Sequence, residues 1–258
     1  MTKTITKPLY FANQFGEKLA AYLDVPAEKS PAAFAIYAHC FTCSKNLKTM
    51  VKMIKVLAES GIAVLRFDFT GIGASEGDFS TTNFSSNVQD VISAATFLED
   101  NFQPPQLLIG HSLGASTVLK AAASIPSSRA VVTIGASYDP SHLGNLLQHA
   151  KEKANAKGFA EVIIGGVRYK MQKQFFQDIE NIKMQEIIRE LNRPLLIMHS
   201  PEDETVPIEH ASKIFRDARH PKSFMSLHPA DHLLSNENDA IYTAKVIAAW
   251  VSRYLISS

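Results

Sequence analysis

Short apolar runs rich in β-branched residues recur along this chain, and they end in Gly, Asp, His or Ser. They read AFAIYAH, IAVLRFDF, QLLIGHS, AVVTIGA, PLLIMHS and SFMSLH. A strand that is apolar on both faces needs cover on both, which a parallel sheet between helical layers supplies. Stretches with helical spacing alternate with the runs. Within 85–102, Val88, Val91, Ile92, Ala95 and Leu98 fall on one face, and near the end of the chain Ile241, Ala244, Ile247, Ala248, Val251 and Leu255 do the same. This alternation predicts an α/β fold, a mostly parallel central sheet flanked by helices with right-handed crossovers. ITKPLYFAN and KLAAYLDVP predict an antiparallel pair ahead of it. With 258 residues, 46% of them hydrophobic, the chain can bury one large core, and positions 1–258 are expected to form a single domain.

One interval breaks the rhythm. Residues 136–193 hold no buried-strand pattern of the same kind. They include EVIIGGVRYKM, two alternating runs around Gly165-Gly166, which predicts a β-hairpin with a two-residue turn. Helical stretches flank it. The interval is expected to be a cap-like insertion over one end of the sheet.

Charge excludes some partners. Lys and Arg total 26 against 25 for Asp and Glu, a net charge of +1, and that balance gives no electrostatic reason to expect nucleic acid or an anionic membrane as partner. The opening MTKTITKPLY lacks the apolar run of a signal peptide, and no run reaches the ~18 apolar residues of a membrane span. Two cysteines cannot build a disulfide framework. A soluble cytoplasmic protein is expected; the oligomeric state is not legible.

The pattern G-x-S-x-G occurs twice, as GASEG with Ser75 and as GHSLG with Ser112. Its chemistry lies in its setting: a nucleophilic serine must ride a sharp strand-to-helix turn that lifts its hydroxyl off the sheet. QLLI leads into GHSLG, and ASTVLKAAASI leads away as an Ala-rich helix, with Gly114 and Ala115 small where helix and sheet approach. Ser75 lies instead in the polar, Gly-rich GIGASEGDFSTTN, which reads as a loop. Gly71, Gly73 and Gly77 in that loop distantly echo a dinucleotide fingerprint, but no helix opens directly behind them. Ser112 is the expected nucleophile.

A serine hydroxyl needs a base within hydrogen-bond reach and a third group to orient that base. With a nucleophile on such a turn, the acid and then the histidine come from the ends of later strands. PLLIMHS runs into PEDETVP, which offers Glu202, Asp203 and Glu204; SFMSLH runs into PADHLL, which offers His228 and His232. Asp203, in mid-loop, is the expected acid. His232, on the loop beyond the strand end, is the expected base. His39, His111 and His199 lie at strand ends near the same place and are candidates to line it.

Cys40 and Cys43 form a C-x-x-C in the loop after AFAIYAH. In the strand-to-helix elbow arrangement that loop supplies one oxyanion N–H and the residue after the nucleophile supplies the other. The expected donors are the backbone N–H groups of Phe41 and Leu113, with no role for either thiol. A different class stays open: strand, C-x-x-C, helix is also the local setting of a thiol–disulfide redox protein. Zinc would need about four ligands, and only Cys40, Cys43 and His39 stand together here.

GHSLG, SPEDETVP and ADHLL, in that order, resemble the nucleophile, acid and histidine segments of the α/β-hydrolase superfamily, and the resemblance covers essentially the whole chain. RFDFTGIGASEGDF resembles the Asp-x-x-Gly-x-Gly-x-Ser loop of many members. AHCFTCSK, FDFTGIGASEG and TNFSSNVQD look like the hydrolase half of bacterial proteins in which it is fused to an OsmC-type peroxide-resistance domain; this chain stops after one hydrolase-sized unit, so the fused half is expected to be absent. One departure stands out: many members read His-Gly where this chain reads His39-Cys40-Phe41-Thr42. The resemblance implies a serine hydrolase of small carboxylic esters or thioesters that works through an acyl-enzyme, without cofactor or metal. Perhydrolysis and peptide cleavage are alternatives on the same fold, because a triad specifies only acyl transfer.

Overall fold

The computed structural model describes residues 3–255 except 42, 142, 144–146, 165 and 166. Eight strands form one sheet: β1 (Thr4–Ala12), β2 (Lys18–Pro26), β3 (Ala33–Ala38), β4 (Ile62–Phe67), β5 (Leu107–His111), β6 (Ala130–Ile134), β9 (Leu195–His199) and β10 (Lys222–Ser226). Their order across the sheet is β1-β2-β4-β3-β5-β6-β9-β10. β2 runs antiparallel to β1 and to β4, and every other neighbouring pair is parallel. The α/β architecture and the leading antiparallel pair both match the sequence expectation.

β3 shows why the runs are apolar throughout. Phe34, Ile36 and Ala38 face a layer containing α2 (Phe84–Asn101) and α3 (Leu113–Ala121), whereas Ala35 and Tyr37 face α1 (Lys48–Glu59) and α8 (Glu237–Leu255). Burying a large apolar side chain contributes about 1.5–3 kcal/mol, and with both faces covered both sets of positions are apolar. The second helix opens at Phe84, one residue ahead of the expected start, because Asn83 and Ser86 form a capping box: the Ser86 N–H donates to Asn83 Oδ1 (2.8 Å) and the Asn83 N–H to Ser86 Oγ (2.9 Å).

The strand register decides where chemistry can gather. Gly110 pairs with Ala38 and with Thr133, His111 with Ile134, Ile134 with Met198, and His199 with Ser226. The carboxyl ends of β3, β5, β6, β9 and β10 therefore share one edge. The loops leaving that edge are those that carry Phe41, Ser112, Asp203 and His232.

After β4 the chain makes a loop and a short 3-10 turn, Phe79–Thr81, before any α-helix starts. Ser75 has a structural task in that loop: its hydroxyl donates to the Asp68 carbonyl (2.6 Å) and accepts from the Ala20 N–H (2.9 Å), which ties the loop to β2.

Between β6 and β9 lie α4 (Gln148–Lys157), β7 (Phe159–Ile164), β8 (Val167–Gln172), α5 (Lys173–Glu180) and α6 (Met184–Glu190); α7 (Glu209–Asp217) follows β9. β7 and β8 pair antiparallel from Phe159↔Gln172 to Ile164↔Val167, the hairpin expected from the alternation. Its turn residues Gly165 and Gly166 lie outside the described residues. The segment between β6 and β9 is fastened to the start of α2, where the Ser85 N–H and hydroxyl donate to the Asp178 carboxylate (2.8 and 2.7 Å). Among the described residues no helix is long and apolar enough to cross a membrane.

Candidate active site

Ser112 occupies the single residue between β5 and α3, with φ 55° and ψ −121°. A positive φ is strained for a residue with a Cβ, at a cost of order 1–3 kcal/mol. The surroundings hold it there: the Ser112 N–H donates to the Ile134 carbonyl (2.9 Å), and the Ser112 carbonyl accepts from the Ala115 N–H (3.0 Å). The two glycines of GHSLG are demanded by space. A Cβ on Gly114 would come within 2.4 Å of the Ala38 and His39 carbonyl oxygens, and one on Gly110 within 2.4 Å of Ala115 Cα. In α3 and the residues just before it Ser112 is half-buried while His111 and 113–119 are buried, so its side chain is the one presented at the sheet edge.

Asp203 is the one buried acid of its loop; Glu202 and Glu204 are exposed. Asp203 Oδ1 accepts from the N–H groups of Thr205 (2.9 Å) and Val206 (2.8 Å), and Oδ2 lies 2.7 Å from His232 Nδ1 and 3.4 Å from His199 Nε2. Burial by itself would raise the Asp203 pKa. The His199 and His232 side chains and the Val206 N–H outweigh it and hold the carboxyl well below the usual carboxylate range. A carboxylate in that state accepts the Nδ1 proton of His232 and leaves Nε2 as the nitrogen able to take another.

Gly135 marks where these groups meet. Ser112 is hydrogen-bonded to the carbonyl of Ile134, the preceding residue, while a Cβ on Gly135 would lie 3.2 Å from the His232 ring and 3.3 Å from Asp203 Oδ2. One bend at the end of β6 thus has the serine turn on one side and the His–Asp pair on the other. His228 is not part of the group: its side chain is 65% exposed and its nearest acid is the exposed Glu202, at 3.5 Å.

Two buried histidines, noticed in the sequence only as candidates to line the site, have defined tasks. His111 Nε2 donates to the main-chain carbonyl of His232 (2.8 Å), which fixes the His232 loop over β5. Burial, and secondarily the neighbouring His232, push the His111 pKa down to about 3, so its ring is a neutral strut. His199 Nε2 donates to the Val206 carbonyl (2.8 Å) and sits beside Asp203 Oδ2, bracing the acid loop. A histidine at a strand end gives the signal; the contact that defines its task comes from a distant loop.

Leu113 opens α3 and Phe41 lies on the loop after β3, and together with Cys40, Ile72, Phe79 and Gly114 they line a small cavity. Thr42, between Phe41 and Cys43, lies outside the described residues. The loop is pinned from below: the Lys45 N–H donates to Asp68 Oδ1 (2.7 Å), the Lys45 ammonium pairs with the same buried carboxylate, and Arg66 Nη1 donates to the Lys45 carbonyl (2.6 Å). Cys40 and Cys43 are joined in a disulfide, with Cα atoms 5.4 Å apart. The following helix does not begin until Lys48, so the pair is not seated on a helix N-terminus as the redox setting requires. Among the described residues no three His, Cys, Asp or Glu side chains are grouped to hold a metal ion.

The segment between β6 and β9 brings aromatic rings to this cavity. The Phe175 ring lies 5.4 Å from that of Phe41, and Tyr169 4.7 Å from Phe79. Phe176 is buried behind Phe175. Phe159 turns outward, 41% exposed, under the Lys170 ammonium.

Residues 43–157 match the family model for serine aminopeptidase, S33. The esterase domain of a Rhodothermus marinus protein, a solved structure, is 43% identical over 98% of this chain and 100% of that one, with a TM-score of 0.79. Human ABHD12B is 26% identical over 71% of this chain and 49% of its own length. The human mitochondrial palmitoyl-protein thioesterase ABHD10 is 28% identical over 70% of this chain and 55% of its own. The chain thus spans about half the length of these two human relatives. Its parallel sheet, its serine on a strained strand-to-helix turn and 43% identity along a whole esterase domain show that the chain belongs to the α/β-hydrolase superfamily.

Proposed function

We propose that this α/β hydrolase is a serine hydrolase of small carboxylic esters or thioesters, acting through Ser112, His232 and Asp203. The observation that carries the reading is the 2.7 Å bond from His232 Nδ1 to an ionised, buried Asp203, beside a serine held at positive φ. Ser112 Oγ attacks the acyl carbon as His232 Nε2 takes its proton, and Asp203 stabilises the imidazolium and keeps the ring oriented. The N–H groups of Leu113 and Phe41 receive the oxyanion, each contributing on the order of 3 kcal/mol to the barrier reduction. Collapse of the tetrahedral intermediate expels the alcohol or thiol, which takes the proton from His232. Water, deprotonated by the same nitrogen, then frees the acid and regenerates Ser112. The relatives described as an esterase domain and a palmitoyl-protein thioesterase support acyl-oxygen or acyl-sulfur cleavage.

The small cavity and the Phe41–Phe175 and Phe79–Tyr169 contacts support a cap role for the insertion and a preference for short acyl groups. In a p-nitrophenyl ester series, kcat/KM should be highest at two to four carbons and fall by about tenfold by ten carbons, since each methylene without a pocket forfeits transition-state binding. A steady rise out to ten carbons contradicts the narrow pocket. Faster turnover of an aminoacyl p-nitroanilide than of any ester would move the reading to peptide cleavage.

A further inference from the structure

We propose that the Cys40–Cys43 disulfide is a reversible redox site that sets the turnover rate of the Ser112 centre, with the oxidised form the faster; this rests on the serine-hydrolase reading above. The disulfide closes a turn around Phe41, a proposed oxyanion donor. Inside the turn, the Cys43 N–H donates to the Cys40 carbonyl (3.2 Å), which also accepts from His39 Nδ1 (2.8 Å). Both flanks of the loop are fixed independently. On one side α3 presses on the backbone at 38–39, where no Cβ fits at Gly114; on the other Lys45 is held by Asp68 and Arg66. Between those anchors the S–S bond is the covalent restraint on where the Phe41 N–H points.

The two sulfurs are not equivalent. Cys43 is half-buried, whereas Cys40 is 5% exposed and lines the cavity with Leu113 and Gly114, the first turn of α3. A dithiol reductant therefore attacks Cys43 Sγ: a bond forms between its sulfur and Cys43 Sγ, the Cys40–Cys43 bond breaks, and Cys40 leaves as thiolate. The second thiol of the reductant then displaces Cys43, so that the reductant becomes the disulfide and the protein gains two electrons and, at equilibrium, two protons. A hydroperoxide restores the cross-link: one thiolate takes its distal oxygen as a sulfenic acid and releases an alcohol, and the other thiol displaces water.

Preorganised oxyanion donors lower the barrier because they need no reorganisation during reaction. Losing the restraint on one donor should lower kcat about threefold to tenfold, tenfold being about 1.4 kcal/mol, and leave KM within about twofold. The test compares wild type after dithiothreitol and after re-oxidation with a hydroperoxide. Alkylation followed by mass spectrometry reports the state, and it is unambiguous because these are the chain's only two cysteines. The expected result is a lower kcat on reduction, recovery on re-oxidation, and a Cys40→Ser, Cys43→Ser variant that stays at the reduced rate in either reagent. Equal rates in the two states, a faster reduced enzyme, or a double variant as sensitive to the reagents as wild type overturns the proposal. Fluorophosphonate labelling separates the two ideas: labelling with redox-independent rates rejects the switch alone, and absence of labelling in both states rejects the serine hydrolase and the switch with it.

Discussion

Ser112→Ala is expected to lower kcat on short-chain esters by about four to six orders of magnitude, to the level left by binding and oxyanion donors alone. The reason is local. Alanine fits the strained turn no worse than serine, and the bonds that hold residue 112, from its N–H to Ile134 and from Ala115 to its carbonyl, are main-chain bonds that the change leaves in place. The variant should therefore fold with an unchanged melting temperature, within about 0.5 kcal/mol. The loss is chemical, since the other serine in a G-x-S-x-G pattern spends its hydroxyl on Asp68 and Ala20. Steady-state kinetics beside a thermal melt checks both halves. Retention of more than a hundredth of wild-type kcat contradicts the assignment.

The second large effect is at the base. His232→Ala should cost about as much as Ser112→Ala, because proton removal and nucleophilic attack act as one unit. Asp203→Asn should cost about ten thousandfold, since an amide facing Nδ1 favours the wrong tautomer. His228→Ala should stay within about twofold; a surface side chain beside an exposed glutamate has nothing to contribute to attack. The double variant Ser112→Ala, His232→Ala should be scarcely worse than either single one, and additive losses would show that the two residues do not share a step. Asp203→Asn also puts an amide nitrogen in place of Oδ2, which lies 3.4 Å from His199 Nε2, so its melting temperature must be measured with its rate.

The strand pattern was the most legible part of the chain because it is written at every position of a strand buried on both faces. Every position of β3 is buried, and so is every position of β5 and β6. The site was legible to the extent that each candidate stands at the end of such a run. Asp203 is expected from its mid-loop position, and in the structure it alone of Glu202, Asp203 and Glu204 is buried, with Oδ1 accepting from the N–H groups of the turn that follows. What the sequence could not give was long-range contact. The task of His111 depends on a carbonyl 121 residues away. Phe159 joins Tyr169, Phe175 and Phe176 in composition, yet it belongs to the outward set of β7, and in a hairpin one position in register exchanges the two faces. The state of Cys40 and Cys43 was likewise open, because C-x-x-C is compatible with thiols, metal or a bridge until the loop geometry is known.

The most direct test of the serine-hydrolase account is to label the protein with a fluorophosphonate and map the adduct by tandem mass spectrometry. The account predicts one stoichiometric adduct, on Ser112, that fails to form in Ser112→Ala and forms far more slowly in His232→Ala. An adduct on Ser75, or no adduct on a folded protein, would contradict it.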